Sequence, residues 1–407
     1  MSTVSVRPAP PAAAPPAATR RVPVFWLALM ATPVAFGANA PVLILPDMAR
    51  SLGVGPAAAA WMVTAFAWAM AVGTPLMAGL LRRRGLRTVL WASAALVLAG
   101  TVAVAASPWL PLTLAGRAAQ AAGGAGLVTA AMGLAGTARR MGVISAGFGI
   151  LGAAGPLLGS RLSADVSWRA ALALSAVALV AVPFVARSAR PAATTGERFD
   201  APGAALLAAL VTSLVLLPTA TLPALGAALV AAVLLAVHVR RRPEGFVPSR
   251  LLRTPTFLAS ALLALALSTS YFTLLFAVPR LLADRTGWST TTIGTGQLVA
   301  LVTGSALSWV LAAASARMGR TAVRALLVTV GVLAALTATF ATWGPLLLAA
   351  MGAAVFTATG ANATLSVHAA TSSPDRQRPT AIGLFTLCYQ LGGAFGPAIA
   401  TLMAIGR

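Results

Sequence analysis

The chain is 407 residues long, 59% hydrophobic and only 9% charged. Soluble domains carry roughly 25% charged residues, so a water-soluble globular protein is excluded: there is too little charge to cover so much apolar surface. The net charge of +22 comes from 29 basic residues, all of them arginine and split into short clusters between apolar runs. They form no single patch for nucleic acid, and the lone Cys388 excludes an intrachain disulfide.

Residues 1–21 are rich in proline and alanine and read as a disordered cytoplasmic tail. Arg20 and Arg21 precede an apolar run too long for a signal segment, so that run is an uncleaved first helix. Apolar segments then fall at 24–45, 57–80, 88–107, 111–135, 142–162 and 168–186. Two more, at 202–218 and 222–239, are interrupted by Pro218 and Pro223. The last five are 255–277, 290–314, 322–341, 345–369 and 380–405. This makes about thirteen spans of the roughly 20 residues that a bilayer core requires. Arginine clusters bracket 202–239 on both sides, so that stretch crosses an even number of times: two short helices, with a re-entrant pair as the alternative.

The loops alternate in charge. Arg82 to Arg87, Arg139 with Arg140, Arg187 to Arg198, Arg240 to Arg253, Arg317 to Arg324 and Arg376 with Arg378 all fall on one side. The opposite loops hold only Arg50, Arg161, Arg169, Arg280 and Arg285, with Arg407 at the terminus. Cytoplasmic loops retain arginine, so the "RRRGLR" stretch and the N-terminus are expected inside, with the chain a multi-pass protein of the cytoplasmic membrane.

Sequence features recur at a steady interval. "LPDMARSLG" (45–53) and "VPRLLADRTG" (278–287) each put a proline near a span end. "RRRGLRTVL" (82–90) and "ARMGRTAVRALL" (316–327) are matching basic turns. "GILGAAGPLLG" (149–159) and "YQLGGAFGPAIA" (389–400) share a Gly-Pro helix, with Pro156 and Pro397 241 positions apart. Two homologous halves follow, as in many secondary transporters. The expected organisation is a six-helix bundle over 22–187, a linker with two additional helices over 188–253, and a C-terminal bundle over 254–407. The second half supplies five spans, and the counterpart of the sixth helix is absent. That leaves the C-terminus on the outer side or marks a shortened chain.

On these motifs the chain resembles the major facilitator superfamily, from residue 24 onward. The stretch 78–87 is similar to that family's signature between helices 2 and 3, with Arg83, Gly85 and Arg87 in place and Arg82 where an aspartate is usual. "RAAQAAGGAG" (117–126) resembles the helix-4 motif through Arg117 and Gln120. "GAAGPLLGS" (152–160) resembles the helix-5 antiporter motif, with Ser160 replacing its last glycine, and "SWRAALAL" (167–174) resembles the start of helix 6 in drug exporters. The two central helices resemble the fourteen-helix drug:proton antiporter branch. The resemblance implies an all-α membrane fold of two pseudo-symmetric helical bundles. It also implies alternating access, with export of a small organic molecule, such as a drug or metabolite, linked to protons.

Arg117 is the one charged residue placed deep inside a span. An unpaired mid-membrane charge costs at least about 2.5–3.5 kcal/mol, so it marks function or a satisfied structural role. With Gln120 and Asp47 it is the candidate proton relay or substrate contact. Arg82, Arg83, Gly85 and Arg87 are the candidate cytoplasmic gate. Gly155, Pro156, Gly159, Gly396 and Pro397 are candidate hinge positions. Asn39, Trp61, Phe66, Tyr271, Gln297, Tyr389 and Gln390 are expected to line a central cavity for a partly apolar substrate.

All seven acids fall in loops or at span ends, and the helix-1 aspartate usual in the exporter branch is Gly37 here. Substrates are therefore expected to be neutral or anionic. His238, His368 and Cys388 have no acidic or metal-ligand neighbour in sequence, so no enzyme, cofactor or metal is expected. The partners are a small-molecule substrate, protons and the bilayer, and the working unit is expected to be a monomer. An importer of nutrients and a non-transporting receptor or scaffold remain as alternatives.

Overall fold

Lipid offers no hydrogen bonds, so a chain crossing it must satisfy its backbone within helices or a closed barrel. The computed structural model describes residues 22–187, 200–217, 220–374 and 377–405, and every element among them is helical. The predicted tail 1–21 and most of the arginine-bearing stretch 187–198 lie outside the described residues. So does the side chain of Pro397.

The first crossing is broken. Helices α1 (Val24–Asn39) and α2 (Pro41–Leu52) meet at a bend of 70°, where one continuous helix was expected. Pro41 has no N–H to give the helix ladder, so the chain restarts there with proline in the first turn. Helix α3 (Pro56–Ala106) runs on through the predicted "RRRGLR" turn, but Gly85 takes φ 78° and ψ 175°. Only glycine tolerates that region, and it folds the helix into two arms, 56–84 and 86–106. Then follow α4 (Leu110–Ala135) and α5 (Ala138–Asp165). The sixth crossing is α6 (Trp168–Ala173), a 3-10 segment (Leu174–Ala181) and α7 (Val182–Arg187).

Helices α8 (Ala201–Leu216) and α9 (Thr221–Arg241) form the central pair, and short α10 (Ser249–Leu252) leads to the second half. That half holds α11 (Pro255–Thr286), α12 (Thr290–Ala314), α13 (Arg320–Phe340), α14 (Gly344–Thr371) and α15 (Arg378–Ile405). Every predicted apolar segment falls on one of these helices. Leu222, Leu229 and Phe340 are exposed on the outer faces of their helices, a surface suited to acyl chains rather than water.

Within the first half α3 packs on α4, and α1 packs on α5 and the sixth crossing; within the second, α11 packs on α14 and α15. Close backbone approach makes this possible. A β-carbon at Gly123 of α4 would sit 2.5 Å from the carbonyl of Ser93 in α3, the small-residue contact common between helices in lipid. The repeat is visible in the helix ends. Helix α2 stops at Gly53 (φ 63°) and α11 at Gly287 (φ 67°), both left-handed C-caps that glycine adopts without strain. The two basic turns differ, however. The second spans Ser315 to Gly319, and Gly319 has an ordinary φ of −66°.

Between the halves, α5 packs on α12 and α14, and α3 packs on α15. Gly383 lies against Ala78, and Gly142 against Ala312. The Asn362 amide donates to Ser145 Oγ at 3.3 Å, and the Ser366 hydroxyl reaches Met141 Sδ at 3.3 Å. These residues sit towards the arginine-rich ends of their helices, so the halves meet on that side.

Candidate functional site

A cavity lies between the halves, walled by α1, the first arm of α3 and α5 on one side and by α11, α14 and α15 on the other. Its free volume is about 100 Å³, below the roughly 300–1,000 Å³ of ligand pockets. A substrate of drug size therefore needs the halves to part. Asn39, Phe66, Tyr271, Tyr389 and Gln390 line it, as the sequence led us to expect. Ser145, Thr359 and Asn362 join them. An asparagine inside the apolar 345–369 span was a readable signal, since buried amides in lipid need partners. The Asn362 carbonyl oxygen is buried with no hydrogen-bond partner.

Trp61 and Gln297 do not line this cavity. On α3 the cavity face is Val63, Phe66, Ala67 and Met70, one helical stripe. Trp61 lies two residues before it, pointing to the far side, and is exposed. Gln297 donates its amide to the Leu275 carbonyl at 3.3 Å, joining α12 to α11 instead.

Arg117 is completely buried. It donates from Nη1 to Gln120 Oε1 at 3.0 Å and from Nη2 to the Gly37 carbonyl at 2.7 Å. The guanidinium lies 4.3 Å from the centre of the Phe66 ring, a cation–π contact with the ring standing between the charge and the cavity. Its Nε has no partner. The position that holds an acid in the resembled exporters thus supplies only a carbonyl dipole here. A β-carbon at Gly37 would meet Ser175 Cβ at 2.9 Å, so the sixth crossing occupies the space a side chain would need.

Asp47 is not brought to Arg117. It pairs with Arg50 and accepts from Ser163 Oγ at 3.1 Å, at the half-exposed end of α2. The relay linking Arg117 to Asp47 has no contact to carry it in this conformation. Gly155 and Gly159 press α5 against the elbow between α1 and α2: β-carbons there would meet Asn39 and Ala40. Gly396 does the same against Phe272 and Thr273 of α11.

The absence of an acid near His238 in sequence misled. His238 Nε2 lies 2.8 Å from Asp200 Oδ1, because the α8–α9 turn returns the chain over 38 residues to the same level. Burial pushes the Asp200 pKa up, but N–H groups of Phe246 and Gly203 and the His238 ring outweigh it, holding the carboxyl below its usual value. Asp200 lines a cleft of about 440 Å³ with Arg82, Arg83, Arg242 and Glu244. Gly85 and Arg87 lie outside that lining; Gly85 makes the turn and Arg87 is exposed. Among the described residues no cluster of histidine, cysteine or acid has the makings of a metal site.

The family model of the Major Facilitator Superfamily matches residues 25–397. The chain belongs to this superfamily. It is a multi-pass membrane transporter, as members of the superfamily are. Among solved structures it is similar to the human organic anion transporter MFSD10 (TETRAN), at 21% identity and a TM-score of 0.60. That match covers 95% of this chain and 93% of the other. It is also similar to the proton:xylose symporter XylE bound to 6-bromo-6-deoxy-D-glucose, at 14% identity and a TM-score of 0.59. There 94% of this chain and 89% of the other are covered. At these identities the likeness is one of fold. No curated protein matches the sequence.

Proposed function

We propose that this transporter exports small, partly apolar organic molecules, neutral or anionic, across the cytoplasmic membrane, with protons as the coupling ion. The observation that carries the reading is the cavity wall. Its polar groups are amides and hydroxyls, and the nearest fixed charge is the Arg117 guanidinium behind Phe66. None of the described acids lines it. A cation entering this space would be repelled by the Arg117 charge with no carboxylate to offset it. An anion would be attracted, and a neutral molecule could hydrogen-bond to the amides and hydroxyls. The unpartnered Asn362 oxygen offers an acceptor to a hydroxyl or amide of the substrate.

Contact between the halves on the arginine-rich side, over a cavity too small for cargo, fits one state of an alternating-access cycle. The Gly-Pro motif on α5 supports export with proton exchange, and the arginine bias of the loops supports a cytoplasmic N-terminus. That MFSD10 is an organic anion transporter agrees with the preferred charge; that XylE is a proton:xylose symporter keeps sugar-like uptake as the second reading.

The test is accumulation of three probes in expressing and non-expressing cells: an aromatic carboxylate, its methyl ester and an aromatic quaternary amine. Each is measured with and without a protonophore. Expression is expected to lower the first two and leave the amine unchanged, with the protonophore erasing the difference. Arg117→Met is expected to cut carboxylate export at least about tenfold, the loss of roughly 1.4 kcal/mol of preferential interaction. Raised accumulation would sink export in favour of import, and no change with any probe would leave a non-transporting protein.

A further inference from the structure

The two central helices have no counterpart in either half, and nothing in the transport reading uses them. The group that ties them together is the carboxylate of Asp200. It accepts from the N–H of Phe246 at 2.8 Å, from the N–H of Gly203 at 3.2 Å and lies 2.8 Å from His238 Nε2, with Arg242 at 4.0 Å. Gly203 and Gly245 both stand so close that a β-carbon on either would overlap Asp200 Oδ2. The start of α8, the end of α9 and the connector towards α10 are therefore tied at one buried group. Carboxylates bound this way form strong, directional anchors.

That anchor reaches the gate through Phe246. Its backbone is held by Asp200, and its ring is buried among Val72, Pro75 and Leu76 of α3 and Leu207 and Val211 of α8. The ring edge abuts Gly79, where a β-carbon would lie 2.9 Å from it. Gly79 is one turn before Arg82 and next to Ala78, the residue against which Gly383 of the second half packs. The gate turn has Arg82 where its family carries an acid, and the cleft beside Arg82 and Arg83 receives its acid from the central pair instead.

We propose that the central helix pair braces the gate on the arginine-rich side, with Asp200 as the positioning residue and Phe246 as the wedge. With Asp200 in place, Phe246 keeps the first arm of α3 pressed on α15 and the halves stay together on that face. Releasing it frees the arm. This rests on the alternating-access reading, but its test reads geometry rather than transport.

Full-length protein in nanodiscs, in a Cys388→Ser background, carries spin labels at Arg84→Cys on α3 and Arg317→Cys beside α12. The distance between them is measured by pulsed dipolar spectroscopy without substrate. The braced protein is expected to give one dominant short distance. Asp200→Asn and Gly245→Ala are expected to move at least half of the population to longer distances. Phe246→Ala, which leaves the carboxylate untouched, is expected to do the same and decides the matter if either of the first two fails to fold. Asp200→Glu is expected to restore part of the short population, a rescue that a filler role would not give. Unchanged distances in the folded Phe246 variant overturn the proposal. A failure to transport any probe would count against the export reading and leave these distances standing.

Discussion

The two halves place their helices in register and then fill them differently. Gly53 and Gly287 end α2 and α11, and Pro56 and Thr290 begin α3 and α12, each pair 234 positions apart. Leu110 and Gly344 begin α4 and α14 at the same interval. On that register the side-chain partners of Arg117 disappear in the second half. Arg117 becomes Met351, Gly37 becomes Tyr271, Phe66 becomes Ala300 and Gln120 becomes Ala354. Met351 is as fully buried as Arg117. One scaffold thus holds a charged cluster in one half and an apolar core in the other, with Tyr271 facing the cavity from the place where Gly37 supplies a carbonyl. The elbow differs as well: Pro41 breaks the first crossing, whereas Leu275 at the matching place lets α11 run on. A single mid-membrane charge survives where a whole set of neighbours serves it, and the matching half does without.

Swapping residues across that register tests the point. Met351→Arg would bury a guanidinium where Ala354 and Ala300 stand in place of the Gln120 amide and the Phe66 ring, and should cost at least about 3 kcal/mol. Thermal unfolding in detergent, or loss of monodisperse protein, reads it; a variant as stable as the parent would mean the Arg117 partners are incidental. Glycine contacts give the next largest effect. A β-carbon at Gly396 would press on the Thr273 backbone at 2.7 Å, against 3.2 Å for Gly155 on Ala40. Gly396→Ala should therefore destabilise by about 1–3 kcal/mol and Gly155→Ala by less, measured by the same melts. The reverse order would show that the elbow between α1 and α2 is the stiffer contact.

Phe66→Leu removes the ring over Arg117 and makes the site more like that of Ala300. The lost cation–π contact is worth about 2 kcal/mol when desolvated, part of which the leucine side chain recovers by packing. The expected readout is a lower melting temperature together with a higher carboxylate-to-ester transport ratio, since the charge is less screened. An unchanged ratio would remove Phe66 from any part in selectivity.

The smallest effect concerns pH. Asp200 titrates below its unfolded value, so its anchoring is fully present above about pH 4 and fades as pH falls through the folded value. The stability gap between the parent and Asp200→Asn should be present at pH 7 and narrow below about pH 4. A gap that widened in acid would contradict the depressed pKa.

The site was partly legible in the sequence because lipid makes polarity expensive. Arg117 stood out for that reason, and so did Asn39, Tyr271, Tyr389 and Gln390. Asn362 obeyed the same rule and could have been read from it. Trp61 and Gln297 could not be sorted from the true lining, because residue type says nothing of which face of a helix meets the other half. The Asp200–His238 pair was invisible for a different reason: its members are 38 positions apart and meet only because α9 runs back along α8.

Sequence alone determined that the chain is helical, crosses the membrane many times, and is built on a repeat. Period, length and arginine placement follow from the bilayer's thickness and its intolerance of charge, and these act on every segment locally. Tertiary structure decided which glycine carbonyl answers Arg117, which aromatic ring covers it, and which groups gather on Asp200 where α8, α9 and the connector towards α10 meet. Those contacts join helices distant in the chain, and their partners are fixed by packing at close range rather than by any local rule.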